Sequence, residues 1–240
     1  MTHDTHDDVR QLLVCDLGTM EYGATLAFQR AVSAARIRGD VAQDVLLLVE
    51  HPPVVTLGRS TKGTNLDINP AWLASRGIAL FEVERGGDAT FHGPGQLVGY
   101  PIIDLKRHTQ DLHWYLRQVE QALIDAVGTV GVEAARAAGY TGAWVGDRKL
   151  ASIGVHARDW VTRHGFALNV TTDLSYFDVI VPCGIADVVM TSIARELGDR
   201  MVAPAAVTAA VIEAFGRIFA LEPTPVTTDA LSALLPPADA

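Results

Sequence analysis

The amino-acid sequence predicts an α/β (α+β) domain in which helices flank a mixed, largely antiparallel sheet. Short apolar runs rich in Val and Leu, bounded by polar or turn residues, indicate strands. Longer segments with apolar residues at helical spacing indicate helices. The two kinds of segment do not alternate regularly along the chain, as they would in a parallel βαβ fold. With 49% hydrophobic and 20% charged residues, the chain has the composition of a globular protein with a sizeable core.

The first elements are two strands separated by a helix. Residues 11–16 and 45–50 are short apolar runs of the kind that forms strands. Between them, the segment Tyr22–Arg38 carries small and apolar side chains at helical spacing. It stops at Gly39, and glycine favours the left-handed conformation that ends many helices.

The middle of the chain predicts a short helix, a strand and a long helix. Asn69 and Pro70 have the residue types of a helix N-cap and first position. Residues 78–84 alternate apolar and polar side chains as a strand does. The clearest helix begins at Asp111 and has an apolar stripe with a period of about 3.6 residues. This stripe consists of Leu112, Leu116, Val119, Leu123 and Val127.

The last elements are three strands and a helix. Residues 142–145 and 149–156 are two strands joined around Gly146-Asp147, a pair typical of hairpin turns. Residues 166–170 continue the strand pattern, and a helix is expected from about residue 204 to residue 221.

Composition divides the chain into three segments. Residues 1–9 are polar and acidic, so we expect a disordered N-terminus. Residues 10–221 are expected to form a single domain. Residues 222–240 are expected to be a loose, Pro/Ala-rich C-terminal tail, because prolines interrupt regular structure. These prolines are Pro223, Pro225, Pro236 and Pro237.

The net charge of −9 and the pI near 5.3 argue against nucleic acid or an anionic membrane as a main partner, because both favour clustered Lys and Arg. The first residues do not have the basic and apolar regions of a secretory signal, and no apolar run is long enough for a transmembrane helix. Two cysteines do not make a disulfide framework, which favours a reducing compartment. We therefore expect a cytoplasmic monomer without nucleic-acid or membrane partners.

The first stretch that could bind a ligand or take part in a reaction is Gly-rich and covers residues 85–96. Four glycines and a proline follow a predicted strand, and glycine permits close approach of the backbone to a ligand. Arg85, Thr90 and His92 stand among them, a composition that suits a polar or anionic group. The stretch has neither the ending of a Walker loop nor the spacing of a dinucleotide fingerprint. Taken alone, it is equally well interpreted as a structural turn.

Cys183 and Lys149 are candidates for covalent chemistry. Cys183 lies between proline and glycine after an apolar run, which predicts a rigid turn at a strand end. A free cysteine is more often a small buried hydrophobe, and Cys15, inside the first strand, is interpreted in that way. Lys149 heads a predicted strand, where a lysine is usually exposed. Beside a cysteine, however, a lysine cation favours the thiolate, and a desolvated lysine can act as a base.

The sequence predicts no metal site and no cofactor. No pair of its eight histidines has the spacing of metal ligands, and there is no Cys-x-x-Cys motif. A pair of Cys183 with His92 or His156, as in cysteine proteases, remains open but has no local signature.

Eight motifs occur in order over most of the chain. They are Glu50-His-Pro-Pro53, Thr56-Leu-Gly-Arg59, the stretch 85–96, Gly99-Tyr-Pro101, Thr141-Gly-Ala-Trp-Val145, the stretch 149–156, Gly165-Phe-Ala-Leu-Asn169 and Pro182-Cys-Gly184. Together they resemble the lipoyl(octanoyl) transferase family. The combination of the Arg-Gly-Gly…Thr-Phe-His-Gly-Pro-Gly-Gln string with a downstream Pro-Cys-Gly is highly specific.

This resemblance implies the fold shared by biotin and lipoate protein ligases, and an acyltransferase that uses no cofactor. It implies that an octanoyl group moves from acyl carrier protein to a lysine of a lipoyl domain. The acceptors it implies are the lipoyl domains of 2-oxoacid dehydrogenase complexes and the glycine cleavage H protein. By position, Cys183 resembles the nucleophile that holds the acyl group as a thioester, and Lys149 its acid–base partner.

The resemblance also implies three substrate-contacting stretches. They are Arg85, Gly86, Gly87, Asp88, Ala89, Thr90, Phe91 and His92, then Ser152, Ile153 and Gly154, then Gly165, Phe166 and Ala167. The octanoyl chain would need an apolar tunnel, which we expect Phe91, Ile153 and Leu168 to shape. Three alternatives stay open: an ATP-dependent lipoate–protein ligase of the same fold, a lipoyl/octanoyl amidotransferase, and a non-catalytic binder of lipoyl domains.

Overall fold

The computed structural model describes residues 11–61, 70–179, 188–198 and 200–236. Three predictions fall outside these ranges: the disordered residues 1–9, the cap at Asn69 and the turn around Cys183. The described strands are β1 (Gln11–Thr19), β2 (Asp44–Glu50), β3 (Val54–Leu57), β4 (Ala79–Glu82), β5 (Ala89–His92), β6 (Gln96–Ile102), β7 (Ala143–Val145), β8 (Arg148–Arg158), β9 (Val161–Asn169), β10 (Val189–Met190) and β11 (Glu222–Pro225).

The described α-helices are α1 (Tyr22–Arg38), α2 (Pro70–Ser75), α3 (Leu112–Thr129), α4 (Ile193–Leu197), α5 (Pro204–Phe219) and α6 (Thr228–Ser232). Two short 3₁₀ helices cover Leu105–Arg107 and Leu174–Val179. Among these helices, none is both long and apolar enough to cross a bilayer.

The described strands form two sheets. The larger sheet has the order β10-β8-β9-β6-β2-β1-β11, and β7 pairs with β8. Its central pairs β2–β6, β6–β9 and β8–β9 are antiparallel, whereas β1–β2, β1–β11 and β8–β10 are parallel. The smaller sheet has the order β4-β3-β5, with β3 parallel to β4 and antiparallel to β5. The prediction of a mixed, largely antiparallel sheet flanked by helices is therefore confirmed.

Side-chain alternation along β1 explains why helices cover both faces of the larger sheet. Leu12 and Val14 belong to a core that also contains α3 and α5, whereas Leu13 and Cys15 belong to a second core that contains α1. Successive side chains of a strand point to opposite faces. Strands β1 and β2 are covered on both faces. Successive residues of these strands are therefore apolar, which accounts for the continuous apolar runs in the sequence.

Several predicted boundaries are confirmed in detail. Helix α1 ends at Gly39, which has a φ of 88° and donates its N–H to the carbonyl oxygen of Ala35. The Asp111 side chain accepts hydrogen bonds from the backbone N–H groups of His113 and Trp114 and so caps α3. The turn at residues 146–147 joins β7 to β8 as expected.

Two strand predictions need correction. The strand expected at residues 166–170 begins five residues earlier, at Val161, because β9 pairs with β8 from Val161 to Leu168. The Gly-rich stretch 85–96 is not one continuous loop. It contains β5, which is buried at every residue and pairs with β3 in the smaller sheet, and the first residue of β6.

The prediction of a loose C-terminal tail is wrong for residues 222–236. Strand β11 pairs in parallel with β1, and as an edge strand it tolerates the prolines that suggested disorder. Helix α6 follows, and its Leu231 is completely buried in the same core as α1. Burial of this side chain provides the free energy that holds the segment on the domain. Residues 237–240 lie outside the described residues.

Candidate functional site

A cleft lies where residues of the larger sheet meet β5 and the Gly-rich stretch. It contains about 480 Å³ of atom-free space, counting its open mouth. Most of the predicted site residues line it: Lys149, Arg85, Gly86, Gly87, Thr90, His92, Ser152, Ile153, Gly154, Gly165, Phe166 and Ala167. The structure therefore brings together three stretches that are far apart in sequence.

Glycines allow the Gly-rich stretch to lie directly on β8 and β9. Gly154 and Gly165 are paired in register, and Gly86 donates its N–H to the carbonyl oxygen of Val155 at 2.9 Å. A Cβ atom on Gly154 would lie 2.9 Å from the carbonyl oxygen of Gly86, and one on Gly165 would overlap the backbone of Gly99. The close approach expected of these glycines is thus made, at least in part, to the protein's own backbone.

Arg85 is tied to the neighbouring strand. Its Nη2 donates to the carbonyl oxygen of Thr56 at 2.7 Å and to the Thr56 hydroxyl at 2.9 Å, while Nη1 donates to the carbonyl oxygen of Gly86 at 3.1 Å. The side chain is buried although it lines the cleft. These bonds fix the start of the Gly-rich stretch against β3.

Three predicted contact residues, Asp88, Ala89 and Phe91, are not among the residues that line the cleft. Along β5, Thr90 and His92 line the cleft, so Ala89 and Phe91 point to the opposite face and join the core beneath. Phe91 stacks on Tyr176 with ring centroids 4.6 Å apart. Asp88 is buried and accepts a hydrogen bond from the N–H of Ala89 at 2.8 Å.

Of the three residues expected to shape an acyl tunnel, one lies at the cleft. Ile153 lines the cleft, whereas Phe91 and Leu168 do not and are buried in the cores. Alternation along the strand explains Phe91, and Leu168 faces the core that contains α3 and α5.

Lys149 is buried at the edge of the cleft, with 6% of its surface exposed, and not solvated as a lysine at a strand start usually is. Its Nζ lies 5.4 Å from the centroid of the Trp144 ring. Its carbonyl oxygen accepts the N–H of Thr191 at 2.9 Å, and Met190 is its partner in β10. Cys183, the predicted nucleophile, lies outside the described residues.

The other cysteine has the structural character predicted for it. Cys15 is completely buried in β1, and its Sγ lies 3.6 Å from the hydroxyl of Thr228. Burial raises the pKa of this thiol, which disfavours the reactive thiolate.

Three further residues, which the motifs had not assigned to the site, also line the cleft: Tyr22, Tyr100 and His164. Tyr100 stands inside the Gly99-Tyr-Pro101 motif and His164 directly precedes Gly165, so proximity to known motifs could have indicated them. Tyr22 begins α1 and has no such signal. Burial raises the pKa of Tyr22 to about 12, so its hydroxyl remains protonated at neutral pH.

Buried histidines extend the polar part of the site. His51 Nδ1 lies 2.7 Å from the carbonyl oxygen of Met20, and Nε2 lies 2.7 Å from the Tyr100 hydroxyl. Because a carbonyl only accepts, Nδ1 carries the proton and the Tyr100 hydroxyl donates to Nε2. The network fixes both rings beside the cleft.

A chain of hydrogen bonds connects His92 with the Lys149 strand. His92 Nδ1 lies 2.8 Å from the amide oxygen of Gln96, whose nitrogen donates to the Asn169 side chain at 2.9 Å. The Asn169 nitrogen donates to the carbonyl oxygen of Thr191 at 3.0 Å. Because Gln96 presents its oxygen, His92 carries its proton on Nδ1 and its Nε2 is an acceptor. Of the two histidines considered as cysteine partners, His92 lines the cleft and His156 does not.

Three of these histidines are held neutral. Burial lowers the pKa of His51 to about 4 and the pKa values of His92 and His164 to about 3. His164 has a φ of 55°, a left-handed conformation that is rare for a residue with a side chain. Its Nε2 is buried without a hydrogen-bond partner among the described residues, 3.8 Å from Glu84.

These depressed pKa values predict that stability falls between pH 7 and pH 5. The unfolded chain takes up protons at an ordinary histidine pKa of about 6.5, whereas the folded chain does not, so unfolding is favoured as the pH falls. Each of the three histidines should lower the free energy of unfolding by about 2 kcal/mol over this interval. Urea unfolding at pH 7, 6 and 5 measures the effect.

The exposed His113 supplies the control for this prediction. His113→Gln should leave the pH dependence unchanged, whereas His51→Gln should reduce its slope. The pKa of Glu84 is lowered to about 2, so this carboxylate affects stability only at lower pH. A free energy of unfolding that stays constant from pH 7 to pH 5 would contradict the prediction.

No group of three His, Cys, Asp or Glu side chains within the described ranges is placed to hold a metal ion. The polar side chains that line the cleft are instead hydroxyls, neutral imidazoles, one lysine and one arginine. Such a set can orient a substrate and move protons beside an apolar wall formed by Ile153, Phe166 and Ala167.

Comparison with known proteins agrees with this arrangement. A family model described as the lipoyl protein ligase A/B catalytic domain matches residues 21–216. The chain is 52% identical over 177 residues to an octanoyltransferase of Solibacter usitatus, covering 74% of this chain and 80% of that protein. It is 44% identical over 226 residues to an octanoyltransferase of Gloeobacter violaceus, covering 93% and 97% of the two chains.

Solved structures share the fold at low sequence identity. A bipartite lipoate protein ligase from Thermoplasma acidophilum, studied with its E2 lipoyl domain, aligns with a TM-score of 0.76 at 19% identity, covering 93% of this chain and 90% of that one. A biotin protein ligase from Leishmania major aligns with a TM-score of 0.51 at 11% identity, covering 84% and 72%. The predicted fold of biotin and lipoate protein ligases is confirmed. The chain therefore belongs to the octanoyltransferases of the lipoyl protein ligase A/B catalytic domain family.

Proposed function

We propose that this protein transfers an octanoyl group from acyl carrier protein to a lysine of a lipoyl domain, through a thioester on Cys183. The observation that carries the proposal is the burial of Lys149 at a cleft lined by all three predicted stretches. A lysine held inside the protein beside an acyl pocket is placed for acid–base chemistry. Octanoyl transfer is also the activity for which the closely similar relatives are named.

The first half-reaction is thioester exchange. Lys149 accepts the proton of the Cys183 thiol, and the thiolate attacks the carbonyl carbon of the octanoyl thioester on the carrier's phosphopantetheine arm. The tetrahedral intermediate expels the pantetheine thiolate, which takes the proton back from Lys149. One thioester is replaced by another, so no energy source is required.

The second half-reaction forms the amide. The lysine amine of the lipoyl domain attacks the enzyme thioester and loses a proton to Lys149, and the Cys183 thiolate departs and is reprotonated. A thioester is less stable than an amide, so transfer is downhill without ATP. His92, whose Nε2 is an acceptor, and the hydroxyl of Tyr22 supply further polar groups within the cleft.

The chain on both sides of residues 180–187 supports this assignment. After them, β10 pairs with Arg148 and Lys149. Before them, Tyr176 stacks on Phe91 of β5, the strand that carries Thr90 and His92. Both flanking segments are therefore anchored to strands that line the cleft. Cys15, the other cysteine of the chain, is sealed in the core and is excluded as the acyl carrier residue.

Intact-mass spectrometry of the native protein tests the proposal. Incubation with octanoyl-acyl carrier protein and no ATP should add one octanoyl group, which addition of a lipoyl domain should remove as the domain gains it. Neutral hydroxylamine should release the group from the enzyme, because it cleaves thioesters and leaves amides intact. Failure to acquire the group from this donor would refute the proposal.

The same mass measurement, repeated with other octanoyl donors, separates the alternatives. An ATP-dependent ligase would octanoylate the lipoyl domain only from free octanoate and ATP. An amidotransferase would take the group from an octanoylated lipoyl domain or H protein and not from the carrier. A non-catalytic binder would retain the lipoyl domain without changing its mass.

A further inference from the structure

Four arginines gather beside the cleft although the chain as a whole carries a charge of −9. We call Arg30, Arg59, Arg158 and Arg163 the arginine patch. Arg30, Arg59 and Arg158 are exposed, the side chain of Arg158 by 77%, whereas that of Arg163 is exposed by 16%. Such a local concentration of positive charge on an acidic protein marks a surface for an anionic partner.

Two arginines of the patch are close to residues that line the cleft. Arg163 pairs in register with His156, two residues from the Gly154–Gly165 pair that lines the cleft. Arg59 donates its backbone N–H to the carbonyl oxygen of Arg85 at 3.0 Å. The patch is therefore within a few residues of the Gly-rich stretch on one side and of β8 and β9 on the other.

Acidic neighbours compensate only part of this charge. Glu84 forms ion pairs with Arg30 at 3.0 Å and with Arg163 at 2.5 Å, and Asp159 lies 3.7 Å from Arg158. Four arginines against these two carboxylates leave a charge of +2. Burial and the nearby arginines, Arg163 and Arg59 above all, lower the pKa of His156.

Two polar atoms at the patch still need partners. Within the described part of the chain, neither Arg163 Nε nor His156 Nδ1 has a hydrogen-bond partner, although both atoms are shielded from solvent. A buried N–H without an acceptor is unfavourable, and the partly exposed guanidinium of Arg163 has further N–H donors for an anionic oxygen.

We propose that the arginine patch binds the phosphodiester of the donor's phosphopantetheine arm and the acidic surface of the carrier around it. This inference rests on the proposed function. When the thioester is in the cleft, the phosphodiester must remain outside it, where the arginines lie. The proposal assigns the patch to the first half-reaction, in which this donor is bound.

Charge-reversal variants test this assignment in the acylation half-reaction. The Arg59→Glu/Arg158→Glu double variant should lower kcat/KM for octanoyl-acyl carrier protein about 10- to 100-fold, as loss of electrostatic steering does. Octanoyl-phosphopantetheine should show a smaller loss, and octanoyl-pantetheine, which has neither phosphate nor protein, should react as with native enzyme. The salt dependence of acylation should become weaker in the variant.

Arg217→Glu is the matched control, because Arg217 is exposed on α5. This helix packs on the face of the larger sheet opposite α1, the helix that carries part of the arginine patch. It should acylate at the native rate with every donor. A double variant that reacts with octanoyl-acyl carrier protein within twofold of native would overturn the inference. So would an equal loss with octanoyl-pantetheine, or a loss confined to transfer onto the lipoyl domain. Failure of the native enzyme to be acylated by any donor would instead refute the proposed function.

Discussion

Cys183→Ser should abolish the octanoyl adduct and reduce overall transfer by about 10³-fold or more. A serine hydroxyl is a far weaker acid than a thiol, so Lys149 cannot generate the corresponding alkoxide at neutral pH. The variant differs from the native protein by one atom, which limits any effect on folding. Intact-mass spectrometry after incubation with octanoyl-acyl carrier protein, together with octanoylation of a lipoyl domain, measures both consequences.

Cys15→Ala is the control for this experiment. Cys15 is buried in β1 and its thiol has a raised pKa, so its loss should alter stability and leave adduct formation intact. Retention of a hydroxylamine-sensitive octanoyl group on the Cys183→Ser variant at the native rate would show that another residue carries the acyl group.

Lys149→Met should slow both half-reactions by about 10²- to 10⁴-fold, the usual contribution of a positioned acid–base group. Methionine has a similar length and suits the buried position, so the fold should be preserved. The remaining activity should rise with pH, because hydroxide then replaces the lysine in deprotonating the thiol. Burst kinetics with octanoyl-acyl carrier protein measure acylation, and transfer from preformed acyl-enzyme measures deacylation.

Lys106→Met is the matched control, since the Lys106 side chain is 45% exposed and lies 3.8 Å from Asp104. It should have native rates. Lys149→Arg adds a second test, because arginine keeps the positive charge but does not release its proton. Native rates in Lys149→Arg would reduce Lys149 to an electrostatic role, and native rates in Lys149→Met would exclude it from the mechanism.

Elements with strong periodicity or a specific terminus were predictable from local sequence. Helix α1 ends at Gly39 and α3 is capped by Asp111, because backbone and side-chain preferences at these positions are local. Strands such as β5 and β11 were missed for a different reason. Their residues are glycine neighbours or prolines, and only pairing with β3 and β1 makes them strands.

The sequence predicted the site correctly for those motif residues that line the cleft. Thr90, His92, Lys149 and Ile153 line the cleft as expected. Phe91 and Asp88 do not, because alternation along β5 and a local hydrogen bond turn them away. A motif indicates which segment approaches a substrate, but the direction of each side chain depends on the strand that contains it.

By itself, the sequence determined the fold class, the family and the three stretches that converge, because periodicity and motif spacing are properties of consecutive residues. Only the tertiary structure decided that Tyr22, Tyr100 and His164 join them, that Lys149 is buried, and that Arg163 lies in register with His156, two residues from the Gly154–Gly165 pair of the cleft. These features depend on contacts between residues far apart in the chain. Such contacts arise from the packing of sheets and helices, to which local preference contributes little.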